Sequence, residues 1–366
     1  MNIFQPDNFS DPAIFFSEVL TDEKEIVIDV VKMFFVNPQI IKITKIAATG
    51  INSDNYWIIL KTGEEEKSIL LRRFKQLSSK RLIDFYLNLI EDLKMAGIKV
   101  SRVIKTLRGG WTFEFDYNFY GVFEFIEGKH FEPIMESFLS VASDVAKMHQ
   151  FFKKIDLQKQ QEIEEISKLN SKAYFNKIKK YTWSDFDAKI QVIKNKETKS
   201  VNEKNLIEEA DFLFQIIKEV EANKLALKKL TRAVIHSDLH PHNLIMQGCK
   251  VGAILDFDSV RVDHQALEVG FALYRFGRQF LIGNSLVDKD LRNKAVDLKN
   301  KFINKYQEIN PLTEEEISLM PILMKDEFLK KLLFVLKGVY DEDNKSWEGD
   351  LIKFLMALKE INYFFN

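Results

Sequence analysis

The sequence predicts an α+β molecule of two lobes, a small β-rich lobe with one helix and a larger, mainly helical lobe. Three observations carry that expectation. Strand-type runs separated by turn chemistry concentrate between about residues 40 and 126. From about residue 128 the apolar periodicity becomes helical, with one β-rich interruption at 231–260. Hydrophobic residues make up 46% of the 366, enough for one large or two medium cores.

Taken in order, residues 1–39 are expected as a helical N-terminal extension. Ile41, Ile43 and Ile46 give a short β-type run, and residues 48–55 give turn chemistry. Tyr56 to Leu60 reads as a second strand, Lys61-Thr62-Gly63-Glu64 as a turn, and Ser68 to Arg72 as a third strand. Over 79–95 the apolar residues Leu82, Phe85, Tyr86, Leu89, Ile90 and Leu93 fall on one helical face, and Gly97 is placed to end that helix. Two further strands are expected at Trp111 to Phe115 and Tyr120 to Ile126. The change of character at Glu127-Gly128 divides the chain into lobes of 1–127 and 128–366. In the second lobe, 133–154, 157–181 and 202–229 read as helices whose Lys and Glu residues form solvated faces. Residues 231–260 read as strand, polar loop, strand, turn and strand, and the remainder from about 263 as helical. There is no internal repeat and no low-complexity linker.

Charge and composition exclude several classes of function. Lys and Arg total 53 against 54 acidic residues, so no basic excess points to a nucleic acid partner. The single cysteine, Cys249, excludes an intramolecular disulfide framework. The first sixteen residues carry Asp7 and Asp11 and no basic residue, unlike a secretory signal. Apolar stretches such as 26–36 are broken by Asp or Lys well short of the ~20 residues a membrane span needs. The expectation is a cytoplasmic protein without a membrane partner.

Chemistry concentrates in one segment. Four of the six histidines lie between residues 236 and 264. His236-Ser237-Asp238-Leu239-His240-Pro241-His242-Asn243 is flanked by apolar β-type residues, and Asp256-Phe257-Asp258 follows another such run. Asp238, Asn243 and Asp256 are thus expected at strand ends. A carboxylate on a tight loop can accept a hydroxyl proton. An amide oxygen and a second carboxylate are hard ligands suited to magnesium. Together they supply the parts phosphoryl transfer requires. A zinc site on the alternating His236, Asp238, His240 and His242 is a second reading, weakened by Pro241, which interrupts a regular strand. A third is a polar bend whose residues only bond one another.

His236-Ser237-Asp238 with Asn243 five residues on, followed by Asp256-Phe257-Asp258, resembles the catalytic region of the aminoglycoside phosphotransferase family. That family includes choline, homoserine and methylthioribose kinases. The resemblance implies a bilobal protein-kinase-like fold with a small antiparallel sheet, and ATP and Mg2+ as cofactors. It makes Asp238 the base, His236 a brace for its loop, and Asn243, Asp256 and Asp258 the metal ligands. Gly50, Asn52 and Ser53 lie where the family's phosphate-covering loop lies, and Arg72 where a third-strand cation grips phosphate. The segment from Val122 to Gly128 resembles the hinge, with the backbone of Glu124 and Ile126 on adenine. His149 falls at the helix end before the catalytic strand, as a structural residue. Two positions depart from the family. Tyr86 stands where the helix glutamate that orients Arg72 should fall, and Glu268 stands where an Asp is usual.

The implied partner is a small-molecule hydroxyl acceptor, an amino sugar or an amino alcohol such as homoserine or choline, bound by a monomer or homodimer. The missing helix glutamate leaves an alternative, a nucleotide-binding pseudokinase-like protein that acts through partners. For the acceptor, Asp341-Glu342-Asp343 with Glu348 and Asp350 forms an acidic cluster that would draw a cation or simply solvate a loop. Tyr274, Trp183 and Trp347 would box a quaternary amine or fill the core. Arg275 and Arg278, on one helix face, would meet an acidic acceptor or form ion pairs.

Overall fold

The computed structural model describes residues 4, 15–17, 19–47, 53–74, 79–170, 173–283 and 287–365. The first lobe is built on antiparallel strands β1 (Phe15–Ser17), β2 (Gln39–Ala47), β3 (Ser53–Thr62), β4 (Glu65–Phe74), β5 (Val103–Ile104), β6 (Thr112–Phe115) and β7 (Asn118–Glu124). Their order is β1-β2-β3-β4-β7-β5, with β6 also on β7. Helix α1 (Thr21–Lys32) packs on one face of this sheet and α2 (Lys80–Met95) on the other. The period-2 alternation of β3 and β4 assigns their side chains to the two faces. Tyr56, Ile58, Leu60, Ile69 and Leu71 are buried under Val27, Val30 and Val31 of α1. Leu70, Arg72 and Phe74 therefore project to the opposite side, toward the second lobe.

The N-terminal segment is not a purely helical extension. β1 pairs with β2, and Phe4 packs edge-on against Tyr363 in the last helix, with ring centroids 5.3 Å apart. Helix α2 ends as its glycine predicts. Gly97 has φ +79, the Ile98 N–H donates to the Leu93 carbonyl at 3.0 Å and the Gly97 N–H to that of Lys94 at 3.0 Å, a Schellman closure.

The second lobe runs α3 (Met135–Phe152), α4 (Leu157–Leu169), α5 (Tyr174–Lys177), α6 (Trp183–Lys194), α7 (Val201–Glu208), α8 (Ala210–Leu227), β8 (Arg232–Ile235), β9 (Leu244–Gln247), β10 (Lys250–Ile254), β11 (Arg261–His264), α9 (Gln265–Arg278), α10 (Asp288–Gln307), α11 (Glu314–Tyr340) and α12 (Asp350–Phe365). The single helix expected at 157–181 ends at Leu169, and the one expected at 202–229 is two helices that meet at Glu209. In the β-rich interruption β9 and β10 form a hairpin, while β8 pairs with β11, a strand in the region read as helical. Arg261-Val262-Asp263-His264 has too few apolar positions to announce a strand, and only the pairing with β8 makes it one.

Short backbone bonds fasten the hairpin of β9 and β10 to the segment after the hinge and to the first lobe. Lys129 exchanges backbone bonds with Met246 at 3.0 and 2.7 Å, and the Ile254 N–H donates to the Lys99 carbonyl at 2.7 Å. A Cβ at Gly128 would lie 2.4 Å from the Met246 carbonyl oxygen, so only glycine fits that approach. Among the described residues, no helix is long and apolar enough to cross a membrane.

Candidate active site

A cavity of about 740 Å³ lies between the lobes, and the segments singled out in the sequence meet on its wall. β8 delivers His236, Ser237 and Asp238, while the hairpin of β9 and β10 ends at Asn243 on one side and Asp256 on the other. Ser237 (φ +73) and Asp256 (φ +63) both sit in the left-handed region that residues with a Cβ seldom adopt. Such backbone persists where neighbours over-determine it. Here the buried Glu268 carboxylate accepts the His236 N–H at 2.9 Å and the Ser237 N–H, and Arg261 donates to the Ser237 hydroxyl.

The loop is braced from below. His236 is fully buried, its Nε2 2.8 Å from the Leu255 carbonyl and its Nδ1 accepting the Asp238 N–H at 3.3 Å. Both ring nitrogens are thereby engaged, which makes His236 a positioning residue. Glu268, from the first turn of α9, also bonds His149 Nε2 at 2.6 Å, and His149 Nδ1 meets the Tyr306 hydroxyl at 2.7 Å. Burial alone would raise the Glu268 pKa, but His149 and the backbone N–H donors hold it below the usual carboxylate range. The glutamate at this position thus reaches across to the loop with its longer side chain.

Asp238 opens into the cavity, with 40% of its side chain exposed. Burial would push its pKa up, yet His240, Lys331 and His236 hold it well below the usual range, so it is ionised at neutral pH. The Asn243 amide nitrogen donates to the Asp238 carbonyl at 2.8 Å and approaches its carboxylate at 3.3 Å, which turns the amide oxygen away from Asp238. The alternating histidines do not converge as zinc ligands would, since His236 is turned to Leu255 and His240 to Asp238. Among the described residues no group of three or more His, Cys, Asp or Glu side chains is arranged to hold a metal ion.

Arg72 reaches the site from β4. Its Nε donates to Ser53 at 3.1 Å, and one Nη contacts Asp256 at 2.9 Å and Asp258 at 3.3 Å. The two carboxylates divide in behaviour. Burial would raise Asp256, but Arg72 keeps it low, whereas burial and the charge of Asp256 raise Asp258 well above the usual range. Tyr86, in the place of the family's helix carboxylate, has a buried hydroxyl without a hydrogen-bond partner. Arg72 is therefore oriented by Ser53 and the aspartates. Gly50 and Asn52 lie outside the described residues.

At the hinge, the Glu124 N–H donates to the Arg102 carbonyl at 2.9 Å, and the Glu124 carbonyl accepts the Ser101 hydroxyl. The backbone of Ile126 makes no bond among the described residues and lines the cavity.

The acceptor side separates the residues that sequence left ambiguous. Arg278 forms a buried pair with Glu360 at 2.7 Å, but Arg275 faces the cavity. Tyr274 is core, its hydroxyl on Glu360 at 2.6 Å, and Trp183 packs on Phe214. Of the three only Trp347 lines the cavity. Asp341 and Glu342 are taken up by Lys189 and Lys177, while Asp350 lines the cavity 3.7 Å from Lys353. Lys331 of α11 also lines it, and sequence gave no sign of this. With Glu327 four residues before it, Lys331 reads as half of a solvent-exposed helical pair.

Comparison with known proteins gives the family and the fold. The model of the phosphotransferase enzyme family matches residues 43–285. The homoserine kinase of Methylobacillus flagellatus is 23% identical over 295 residues, covering 80% of this chain and 79% of that protein. Among solved structures, an aminoglycoside phosphotransferase from Alicyclobacillus acidocaldarius superposes with a TM-score of 0.64 at 13% identity, over 97% of this chain and 96% of that one. A spectinomycin phosphotransferase in complex with ADP and spectinomycin gives 0.59 at 13% identity, over 93% of each. At such identities the structural likeness is one of fold.

Proposed function

Because the chain belongs to the phosphotransferase enzyme family, we propose that it moves the γ-phosphoryl group of ATP to a hydroxyl of a small molecule in the cleft between its lobes. The observation that carries this reading is the ionised Asp238 opening into the cavity between Asn243 and Asp256. Asp238 accepts the hydroxyl proton as the acceptor oxygen bonds to the γ-phosphorus and the bond to the bridging oxygen of ADP breaks. Arg72 grips phosphate oxygens through its guanidinium fork, with Ser53 holding its Nε. The backbone of Ile126 and Glu124 would hold adenine, the Ile126 N–H as donor and the Glu124 carbonyl, which also accepts the Ser101 hydroxyl, as acceptor.

The donor set fits magnesium. Asp256, the Asn243 amide oxygen and Asp258 are hard oxygen ligands on one cavity wall. The ion, when bound, neutralises charge on the triphosphate. Tyr86 in place of a helix carboxylate does not disable the site, because Arg72 is oriented without it. A cytoplasmic location suits both the ATP supply and the lone cysteine.

The test is ADP release from Mg-ATP with homoserine, choline, methylthioribose, hexosamines and aminoglycosides as acceptors. Acceptor-dependent release should fall by about 10²–10⁴-fold in Asp238→Asn and vanish in Asp256→Ala. Unchanged rates in either variant sink the assignment. Tight ATP binding without turnover on any acceptor would instead favour a non-catalytic role.

A further inference from the structure

Arg275 and Lys331, two of the cations that line the cavity, have no part in the nucleotide chemistry above. Arg275 comes from the last turn of α9 and Lys331 from the middle of α11. The Arg275 Nε is buried with no hydrogen-bond partner, and among the described residues its guanidinium makes no ion pair. Three residues on, Arg278 is neutralised at 2.7 Å by Glu360 of α12, so the fold supplies a carboxylate partner where the charge is structural.

Lys331 is similarly short of counter-charge. Its nearest carboxylate, Glu327 at 3.8 Å, is already held by Arg261 at 3.2 and 3.3 Å and by the Tyr174 hydroxyl. The ammonium lies instead among rings, 4.4 Å from the centroid of Phe271, 5.1 Å from Tyr174 and 6.0 Å from Phe328. Burial lowers its pKa, and the nearby Arg275 adds repulsion. Two like charges converge on a largely aromatic wall. That arrangement is unfavourable by itself and becomes favourable when an anion sits between them. A second carboxylate that Lys331 feels, that of Asp238, is held by His240 and Asn243 and is reserved for the acceptor hydroxyl.

We propose that Arg275 and Lys331 form an oxyanion subsite for the acceptor, and that the acceptor is a small alcohol bearing a carboxylate. The inference rests on the kinase reading of this cleft and narrows it. A planar carboxylate matches the guanidinium fork, and the lysine supplies a second, point-like charge. Phe271, Phe328 and Phe334 add apolar surface to the cavity, which suits a short carbon chain between carboxylate and hydroxyl. A polycationic amino sugar would place its ammonium groups against the positive charges of Arg275 and Lys331.

The test uses alcohols that differ by one carboxylate: homoserine with 3-aminopropan-1-ol, serine with ethanolamine, and 4-hydroxybutanoate with propan-1-ol. ADP release is measured for the full-length protein, Arg275→Met and Lys331→Met, with thermal shift by each alcohol as a second readout. The carboxylate member of the best pair should exceed its partner about 100-fold in kcat/KM, the size of losing charge-assisted bonds. Either methionine variant should bring the pair toward parity through KM for the acceptor, with KM for ATP unchanged. Equal use of both members overturns the subsite. So does silence of every carboxylate in both turnover and thermal shift, or turnover confined to choline, hexosamines or phosphomonoester alcohols, although the last leaves the kinase reading standing. ADP release that Asp238→Asn leaves intact overturns that reading instead.

Discussion

Tyr86 and Arg72 illustrate how much one side chain decides. Tyr86 lines the same cavity as Arg72, and its hydroxyl is buried without a hydrogen-bond partner, close enough to Asp258 to feel its charge. A buried polar group left unbonded costs stability. Tyr86→Phe should therefore leave the unfolding free energy unchanged or raise it by up to about 1 kcal/mol in urea titration. A loss larger than that would mean the hydroxyl has a partner in solution. At this scale Asp238, Asn243 and Asp256 were singled out by spacing and residue type and Arg72 by resemblance, and the structure brings all four to one cavity. Lys331 was not legible, because nothing in a helical Lys-Glu pattern distinguishes a pair facing water from one facing a cavity.

At the scale of elements, the catalytic segment is held by the first turn of α9 and the end of α3 rather than by its own strand. Glu268 joins three donors, the His236 and Ser237 N–H groups and His149, in a fully buried place. Glu268→Ala strands those donors and should destabilise the fold by about 3–5 kcal/mol in chemical denaturation. A pH dependence follows with a definite sign. The folded-state pKa of Glu268 is depressed, so its contribution is complete above the unfolded carboxylate pKa and disappears as pH falls through the lower folded value. In the acidic range below ordinary glutamate values, stability followed by circular dichroism should therefore drop more steeply with falling pH in the native protein than in Glu268→Gln. Strands β3 and β4 and helix α2 were readable from alternation, periodicity and Gly97. The two-residue β5, the four-residue β11 and the break at Leu169 were not, since short elements take their form from partners.

Over the whole molecule, two apolar cores lie on opposite faces of one sheet. The outer is closed by α1 alone, and the inner runs from α2 into the helices of the second lobe. The second lobe is tied to its C-terminus by ionic bonds as well as by packing: Arg278 of α9 meets Glu360 of α12, and Tyr274 shares that carboxylate. Arg278→Ala leaves a buried glutamate without its counter-charge and should lower stability by about 3–5 kcal/mol, read as a fall in Tm. The KM for the acceptor should not move in that variant, because Arg278 faces the core while Arg275 faces the cleft. A Tm unaffected by the substitution would show that α9 and α12 are held by packing alone.

The sequence by itself determined the two-lobed plan, the antiparallel strands that carry Arg72, and the loop bearing Asp238, Asn243 and Asp256. All of these follow from local pattern, which a chain expresses before it folds. Tertiary structure alone decided that Arg275 faces a cavity while Arg278 enters an ion pair, that Ser53 and two aspartates orient Arg72, and that Lys331 lines the cleft close enough to Asp238 to feel its charge. Those facts depend on which helix faces meet at long range, and no short window of sequence encodes how two distant surfaces will pack.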